Sequence, residues 1–595
     1  MVPAAFVVLA ACLFLSIAPA RAAPCVPDPA VSGQTVTCSG VVAGGFEAGA
    51  GVNNLTVNVV PGATVNDNGT ASIGVNDSNS VTNAGFLLPA AGLIGINAGN
   101  MNTIVNSGTM NVGDFGAGII ALNNNTITSS GSITAGANGV AISIFDNNIV
   151  TNSGTLTSGS GGTAIFGGVN NTITNTASGV INIVDNGIGI FVAGNSTVTN
   201  AGSITMGDTV VPTGAIFAIN DDNTVSNLAG ATITVGQSGA GIFVQGDRTI
   251  VNNAGTVNVG LAGIGIAVFG DDAMVTSNGT MNLADGGGGI AVQGDRATVV
   301  HGGTVNGGAG TIGILYSGSS STVTNNGRIL LGDDGSGIVV TGDSNTITNK
   351  GTITVGNGIA TGIDVTSLFG SNTIVNTGTI NVGTGGNGIG ILVSTLGSGS
   401  GTVFNSGTIN AASGFAAIEF CGCGSGNTLT LGPGSVINGL VIGTGTDILQ
   451  LGGTGKDTFN LSLIGAGQQY DGFATFNKVD SSSWSVTGAG AQDWNVLGGT
   501  LSVNGIINGL VTVAPGGTLG GTGTIDNVAI VGGTLAPGNS IGTLNVAGSL
   551  TFSAASTYMV EISGANSDLT LVGGTATLGG AFVVVVPSGT VMKRY

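Results

Sequence analysis

The sequence TITNKGTITVGNGIATGIDV, residues 346–365, contains three short runs in which polar and apolar residues alternate. The runs are Thr346–Asn349, Thr352–Gly356 and Gly362–Val365, and the segments between them contain Gly or Asn. Runs of four or five residues are too short for helices, whereas alternation is typical of β-strands with one buried face. The stretch therefore predicts three strands joined by tight turns.

The central phrase of this stretch recurs along most of the chain. Its fullest form is Asn-x-Gly-Thr followed by an apolar residue. Fourteen copies are anchored on a glycine, at intervals of 23 to 29 residues that average just under 25: Gly85, Gly108, Gly131, Gly154, Gly179, Gly202, Gly230, Gly255, Gly279, Gly303, Gly327, Gly351, Gly378 and Gly407. A unit of this size cannot bury its apolar face alone, but stacked units can, and a propeller blade would need about 40 residues. We therefore predict an all-β fold, a right-handed parallel β-helix with three short strands per coil of about 24 residues.

The composition agrees with a turn-rich β fold. The 595 residues include 113 Gly, and only 6% are charged, whereas disordered chains are usually rich in charge. The formal net charge is -19. Because nucleic-acid binding needs clustered cations, we expect no nucleic-acid partner. An acidic surface also disfavours anionic lipid and suits an extracellular protein.

The N-terminus has the pattern of a secretory signal peptide, which we assign to residues 1–22. Val7–Ile17 is apolar, and the small residues that follow allow A-x-A cleavage after Ala20 or Ala22. Leu9–Cys12 is an alternative lipoprotein cleavage box. The apolar run is shorter than the roughly 20 residues that span a membrane, and no other segment qualifies, so we expect no transmembrane segment.

Two pairs of cysteines lie close together in the mature sequence. Cys25 and Cys38 would close a small loop within an N-terminal cap that we assign to residues 23–50, and Cys421 and Cys423 form a C-x-C. Neither pair has the partner ligands of a zinc site. Two local disulfides, which an oxidising periplasm favours, and free thiols are the open alternatives.

A fixed repeat allows stacked positions to be compared by counting back from the anchor glycines. Two residues before the anchor, nine of the fourteen coils have asparagine: Asn83, Asn106, Asn152, Asn200, Asn253, Asn325, Asn349, Asn376 and Asn405. Stacked amides can pair donor to acceptor, which predicts a structural asparagine ladder. His301, the only histidine, occupies the same column, and we interpret it as a substitute within the ladder rather than a catalytic group.

Eight residues before the anchor, six coils have aspartate: Asp146, Asp222, Asp247, Asp271, Asp295 and Asp343. Stacked carboxylates repel, so they must be solvated, partly protonated or bridged by a cation. Arg248, Asp272 and Arg296 come next in successive coils. We predict that these residues form a charge ladder, and a calcium ion along the aspartate column is the alternative.

Three further motifs resemble functional motifs but lack the expected context. Gly538–Gly542 matches G-x-S-x-G, yet no helical pattern or nearby histidine follows. Gly308–Gly313 matches G-x-G-x-x-G outside any βαβ unit. Gly452–Asn460 matches a calcium-binding nonapeptide, but the weaker copy at Gly443–Leu449 is out of register, so calcium binding is left open. We assign no catalytic residue, no cofactor and no metal site.

Some parallel β-helices are polysaccharide lyases or hydrolases, which need clustered carboxylates. The only glutamates, Glu47, Glu419 and Glu561, are far apart in sequence, and the pairs Asp221–Asp222 and Asp333–Asp334 fall in predicted turns. We therefore predict that the chain is not an enzyme.

The period breaks near Phe420. We divide the chain after the cap into β-helix repeats over residues 51–426, a transition segment over 427–500 that holds both tryptophans, and a C-terminal region over 501–595.

Two phrases in the C-terminal region, Leu535–Gly542 (LAPGNSIG) and Ser556–Glu561 (STYMVE), are specific. The run Gly517–Glu561 that contains them resembles the passenger-associated transport repeat of bacterial autotransporters. Gln469–Phe473 and Trp484–Gly488 are similar to segments that precede that repeat. The resemblance implies type V secretion of a passenger whose C-terminal region is an autochaperone that seeds folding.

The resemblance also implies an outer-membrane β-barrel translocator as a partner. That barrel is absent from this chain, in which a single apolar strand, Phe582–Val586, precedes the last residues. Truncation, a frameshift and completion by another polypeptide are the alternatives. We expect an exported protein at the cell surface or outside the cell, or in the periplasm without a barrel. It would present a repetitive β-helical surface for adhesion or another cell-surface interaction, with an unidentified ligand. A carbohydrate-active β-helix enzyme and a non-functional truncated autotransporter are the alternative functions.

Overall fold

The computed structural model describes residues 25–210, 213–422, 424, 426–563, 565–579 and 582–587. The predicted signal peptide, residues 1–22, lies outside the described residues, as does Cys423. The chain divides into two compact units, residues 1–191 and 192–595.

Both units are parallel β-solenoids in which a coil contributes three strands. Strands make up 56% of the structure, which has about 22 turns of about 24 residues, so the predicted parallel three-stranded coil is confirmed. Within the described ranges, the helical content is one 3₁₀ turn, Leu461–Leu463. None of the helices in the described part of the chain is long and apolar enough to cross a membrane.

The strands of each unit are grouped here into a first, a second and a third face, in the order in which a coil visits them. In the first unit, the first face comprises Thr35–Cys38, Thr56–Val59, Ser80–Asn83, Thr103–Asn106, Thr126–Ser129, Ile149–Asn152 and Thr172–Asn175. Its second face comprises Val41–Val42, Thr64–Val65, Phe86–Leu87, Thr109–Val112, Ser132–Ala135, Thr155–Ser158 and Val180–Ile183. Its third face comprises Phe46–Glu47, Ala71–Val75, Ile94–Ala98, Ala117–Ala121, Val140–Ile144, Thr163–Gly167 and Ile188–Val192.

The second unit repeats this arrangement over ten coils. Its first face comprises Thr197–Asn200, Thr224–Asn227, Ile250–Asn253, Met274–Ser277, Thr298–His301, Thr322–Asn325, Thr346–Asn349, Thr373–Asn376, Thr402–Asn405 and Thr428–Leu431. Its second face comprises Ser203–Met206, Thr232–Val235, Thr256–Val259, Thr280–Leu283, Thr304–Gly307, Arg328–Leu331, Thr352–Val355, Thr379–Val382, Thr408–Asn410 and Val436–Asn438. Its third face comprises Gly214–Ile219, Ala240–Gln245, Ile264–Phe269, Gly288–Gln293, Ile312–Ser317, Ser336–Thr341, Thr361–Ser367, Ile389–Thr395, Ala416–Gly422 and Leu440–Leu451.

Coils of less regular length follow in the second unit. Their strands are Lys456–Asn460, Tyr470–Lys478, Ser483–Thr487, Ala489–Gly490, Trp494–Val496, Gly499–Val503, Ile506–Val513, Gly517–Gly520, Thr524–Ile530, Thr534–Leu535, Thr543–Val546, Leu550–Phe552, Thr557–Ser563, Asn566–Ser567, Leu569–Val572, Ala576–Leu578 and Phe582–Pro587. The two tryptophans are almost fully buried here, and the Trp484 indole donates to the carbonyl of Gly452 at 3.1 Å.

The core is a set of continuous apolar columns inside each solenoid. Ile347, Ile353 and Ile363, one from each strand of a coil, are all fully buried. Ile353 pairs in register with Ile329 of one neighbouring coil and Ile380 of the other. Because burying one such side chain contributes roughly 1.5–3 kcal/mol, the repeated columns supply the stability that an isolated coil lacks.

The anchor glycines occupy the turn between the first and second faces, and at most of them a carbonyl oxygen of the neighbouring coil lies close. A Cβ atom on Gly351 would lie 1.9 Å from the carbonyl oxygen of Gly327. That oxygen accepts the N–H of Thr352 at 2.9 Å, so it cannot move away without losing a bond between coils. The close approach explains why glycine recurs at this position.

The first described coil begins with an antiparallel strand pair. Cys25–Val26 pairs with Thr35–Cys38, and a disulfide joins Cys25 to Cys38. The disulfide alternative therefore holds for this pair, whereas Cys421 carries a free thiol.

Candidate functional site

The predicted asparagine ladder lies inside the solenoids and is a structural feature. Asn325 donates from Nδ2 to Oδ1 of Asn349, and Asn349 donates likewise to Asn376, each at 2.8 Å. All three side chains are fully buried. Each amide therefore supplies a hydrogen-bond partner to its neighbour in the buried interior, where water cannot do so.

Two ladder members were missed when positions were counted back from the anchors. Asn152 donates to Asn175 at 2.8 Å in the first unit, and Asn227 donates to Asn253 at 2.8 Å in the second. The turns after Asn175 and Asn227 are longer than in other coils, so neither asparagine stands two residues before its glycine.

His301 is a ladder position, as predicted. It pairs in register with Ser277 and Asn325, and it is fully buried. Its Nε2 lies 3.3 Å from the carbonyl oxygen of Arg328. Burial lowers the pKa of the His301 imidazole below its ordinary value, because the charged ring would lose its hydration.

We expect His301→Asn to stabilise the protein, and the gain to grow as the solution becomes more acidic. An asparagine would complete the ladder between Ser277 and Asn325. The folded pKa of His301 is lowered, so the unfolded chain binds more protons below about pH 6.5 and stability falls as pH decreases through that value. Unfolding midpoints of both proteins between pH 5 and pH 8 measure this; an equal difference at every pH would contradict the titration.

A second buried asparagine column was not found from the sequence. At the turn before the first face, the backbone N–H groups of Asn102 and Asn125 donate to Oδ1 of the asparagine in the next coil, at 2.7 and 2.8 Å. The second unit ends a similar series with Asp447, which is fully buried and accepts from both nitrogens of Asn427 at 2.9 and 3.0 Å. The carboxylate thus replaces a ladder amide.

The two carboxylates of the calcium-like sequence are bound by the chain's own donors. Asp447 also accepts the N–H of Thr444 at 2.7 Å. Asp457, from the better copy, accepts the N–H groups of Gly434 and Thr458, each at 2.7 Å. Among the described residues, no group of three or more His, Cys, Asp or Glu side chains is arranged to hold a metal ion.

The aspartate column joins coils through backbone donors. Asp271 accepts the N–H of Asp295 at 2.8 Å, and Asp295 accepts the N–H of Ser319 at 2.7 Å, each one coil away. A hydrogen bond from the next coil offsets the repulsion between half-exposed carboxylates. These hydrogen bonds therefore join the turn of each coil to the turn of the next coil.

The register predicted for one member of this column was wrong. Asp221, and not Asp222, accepts the N–H of Asp247 at 3.0 Å. The longer turn before Gly230 shifts the count from that anchor by one residue. Asp222 instead corresponds to Arg248 of the next coil. Both residues have a left-handed backbone conformation, with φ of 62° and 54°.

We expect the aspartate column to need an acceptor rather than a charge. Asp295→Asn keeps an oxygen for the Ser319 N–H, so its unfolding midpoint should match that of the unmodified protein. Asp295→Ala removes the acceptor and should lower the midpoint measurably. Equal midpoints for the alanine and asparagine variants would contradict this role.

The predicted charge ladder consists of two separate groups. Arg248 bonds Asp222 through Nε and Nη2, both at 2.8 Å, and reaches Asp221 at 3.0 Å. Arg296 makes the same contacts with Asp272 and Asp271 two coils further on. The guanidinium groups lower the pKa of Asp222 and Asp272, but these exposed pairs are screened by solvent and contribute little stability.

Residues of the catalytic-like sequences form hydrogen bonds within the solenoid. Gly538 exchanges backbone hydrogen bonds with Gly521 at 2.8 and 2.9 Å, and Asn539 donates to Asn504 at 2.7 Å. Thr311, within the glycine-rich motif, donates to the carbonyl of Gly308 at 2.8 Å and closes a turn.

The three glutamates lie in different coils. Glu47 accepts from Asn68 at 3.2 Å in the first unit. In the second unit, Glu419 belongs to the third face and Glu561 to the strand Thr557–Ser563.

Lys478 is a buried cation that sequence reasoning missed. Its Nζ donates to the carbonyl oxygens of Val479, Asp480 and Gly498, the last at 3.0 Å. Burial lowers the pKa of Lys478 to about 8. The three carbonyls come from two neighbouring coils, so the ammonium group ties these coils together.

The candidate binding site is an outward groove of about 550 Å³ on the second face of the second unit, called the amide groove below. Its lining contains amide, hydroxyl and apolar groups: Thr234, Val235, Asn258, Val259, Gly260, Asn282, Leu283, Ala284, Asn306, Gly307 and Leu330. No side chain in this lining is charged.

An outward ladder of amides runs along the groove. Asn306 donates to Oδ1 of Asn282 at 3.0 Å, Asn282 donates to Asn258 at 2.8 Å, and Asn258 donates to the Thr234 hydroxyl at 3.3 Å. Leu330 occupies the next position and ends the series. Because each amide is held by its neighbours, the groove presents a preorganised row of polar groups.

A second outward ladder has the same construction outside the groove lining. Asn438 donates to Asn410 at 2.7 Å, Asn410 donates to Asn381 at 2.8 Å, and Asn381 donates to the Thr354 hydroxyl at 3.3 Å. Neither outward ladder was predicted. The available signal was asparagine three residues after successive anchor glycines, as at Asn258, Asn282 and Asn306.

The chain matches no known family model and no curated protein with which it was compared.

Proposed function

We propose that this chain is an exported passenger protein that acts by presenting the outward faces of its solenoid, for adhesion or another cell-surface interaction. The observation that carries the proposal is the second face of the second unit. Nine consecutive coils place a mostly hydroxyl-bearing residue at the same outward position: Ser203, Thr232, Thr256, Thr280, Thr304, Arg328, Thr352, Thr379 and Thr408.

Regular polar columns of this kind suit repeated weak contacts along one ligand. Contacts made on one rigid body act together, because each contact raises the effective concentration of the next. The absence of charge from the amide groove lining also supports binding over acid–base chemistry, which needs a titratable group in contact with the substrate.

Three features support export. The apolar run Val7–Ile17 precedes small residues suited to cleavage, the sequence Leu535–Gly542 resembles an autotransporter phrase, and Cys25 and Cys38 form a disulfide. Disulfides persist in oxidising compartments and are rare in the cytosol.

Export can be tested with the full chain joined to an autotransporter β-barrel in a Gram-negative host. Antibody should label the chain on intact cells, and external protease should remove it, whereas a matched fusion lacking residues 1–22 should show neither signal. A chain that stays inside cells whose barrel is correctly inserted would contradict the proposal.

A further inference from the structure

We propose that the amide groove binds an extended, neutral, hydroxyl-rich polysaccharide of the β-1,4-linked glucan type. This inference rests on the proposed function, because it names the ligand class for an outward face of the second unit. It assigns the contact to the row Asn258, Asn282 and Asn306.

The hydrogen-bonding capacity of the row points to a hydroxyl-rich ligand. A side-chain amide has two N–H donors and an oxygen with two lone pairs. Asn282 uses one N–H on Asn258 and one lone pair on Asn306. One donor and one acceptor stay available on each central amide, and a sugar hydroxyl can both donate and accept.

The spacing of the row fits a chain of pyranose rings. Parallel strands lie about 4.8 Å apart, so equivalent amides repeat at that interval along the solenoid. A pyranose unit in an extended chain has a similar length. An extended peptide does not match, because its residues advance about 3.3 Å each and its side chains alternate in direction.

The remaining groove residues suit the less polar surfaces of sugar rings. Ala284 and Leu330, both partly exposed, line the groove beside the amides and can contact ring C–H groups. Thr234 and Leu330 mark the two ends of the row, four coil intervals apart, which is roughly 19 Å. This length accommodates about four sugar units.

The uncharged groove lining and the acidic character of the whole chain favour a neutral glycan. The groove lining carries no charged side chain, whereas the whole chain has a formal net charge of -19. A polyuronate would be repelled by the acidic protein and would find no cation in the groove. A neutral glucan avoids this repulsion.

The experiment measures calorimetric binding of cellohexaose to the full-length mature protein. We expect saturable binding to the unmodified protein and weaker binding of two comparison oligosaccharides. Maltohexaose has the same composition but a coiled chain, and hexagalacturonic acid is extended but anionic.

Three substitutions distinguish the groove from the rest of the surface. Asn282→Ala should weaken cellohexaose binding about tenfold, since it removes the central amide. Asn410→Ala makes the same change in the second outward ladder and should leave binding unchanged. Ala284→Tyr should also reduce binding, because it fills the groove without altering the ladder. Circular dichroism and thermal unfolding establish that each variant is folded.

Failure of cellohexaose to bind, or equal effects of Asn282→Ala and Asn410→Ala, would overturn the inference. Such a result is distinct from failure of the proposed function, which the export experiment measures without any glycan. A chain that is displayed and adhesive but indifferent to cellohexaose would retain the function with another ligand. A chain that binds cellohexaose yet is never exported would lose the proposed function alone.

Discussion

Replacing Gly351 with alanine is expected to destabilise the second unit by about 3 kcal/mol, the upper end of the usual cost of overpacking. The added Cβ would lie 1.9 Å from the carbonyl oxygen of Gly327. That oxygen accepts the Thr352 N–H, so relief of the clash must separate two coils or break their hydrogen bond. The urea midpoint and hydrogen exchange of the Thr352 amide measure the effect.

Gly288→Ala is the matched control for this substitution. Gly288 lies on the third face, and the nearest atom to a Cβ there is a side-chain carbon of Ile264 at 3.7 Å, an ordinary contact. We expect an unchanged or slightly higher midpoint, because alanine restricts the unfolded chain. Equal losses for the two variants would show that close stacking at the anchor is not the cause.

Replacing Asn349 with leucine is expected to cost about 2–4 kcal/mol, although the side chains have similar size. Asn349 accepts from Asn325 and donates to Asn376, and all three residues are fully buried. Leucine would leave one donor and one acceptor without partners in the interior, and each such group costs about 1–3 kcal/mol.

Asn438→Leu tests whether burial, rather than the amide ladder itself, causes this loss. Asn438 also donates to a ladder neighbour, Asn410 at 2.7 Å, but it is exposed, so water can replace the lost bond. We expect a change well below that of Asn349→Leu in denaturant unfolding. Indistinguishable midpoints for the two variants would contradict burial as the cause of the loss.

The coil and its inner ladder could be predicted from the sequence because the anchor glycines fix the count. A Cβ atom on Gly351, or on its equivalents Gly327 and Gly378, would lie within 2.2 Å of a carbonyl oxygen of the neighbouring coil, so glycine recurs there and nearby positions align from coil to coil. Asn349 and His301 were placed correctly for this reason.

Predictions failed where the turn before the anchor changes length. The extra residue before Gly230 shifts the count from that anchor by one. Counting therefore assigned Asp222 to the aspartate column in place of Asp221, and it left Asn227 out of the asparagine ladder. Counting from the first-face strand would have avoided both errors, because inward and outward positions alternate within a strand.

The binding surface was harder to predict than the core. Asn282 alternates with apolar residues as any exposed strand residue does, so nothing in its own coil distinguishes it. Its role depends on identical neighbours one coil away on each side. Lys478 was missed for a related reason, because its partners include Gly498 of a neighbouring coil and carry no side-chain signal.

We propose that an outward face of the solenoid performs the function. The decisive measurement is the adhesion of cells that display the chain, at matched display levels, to cellulose, to host-cell layers and to cells of their own kind. We predict adhesion to at least one of these surfaces, and its loss when Thr256, Thr280 and Thr304 are all replaced by lysine. Cells that adhere no better than cells displaying the barrel alone would contradict the account.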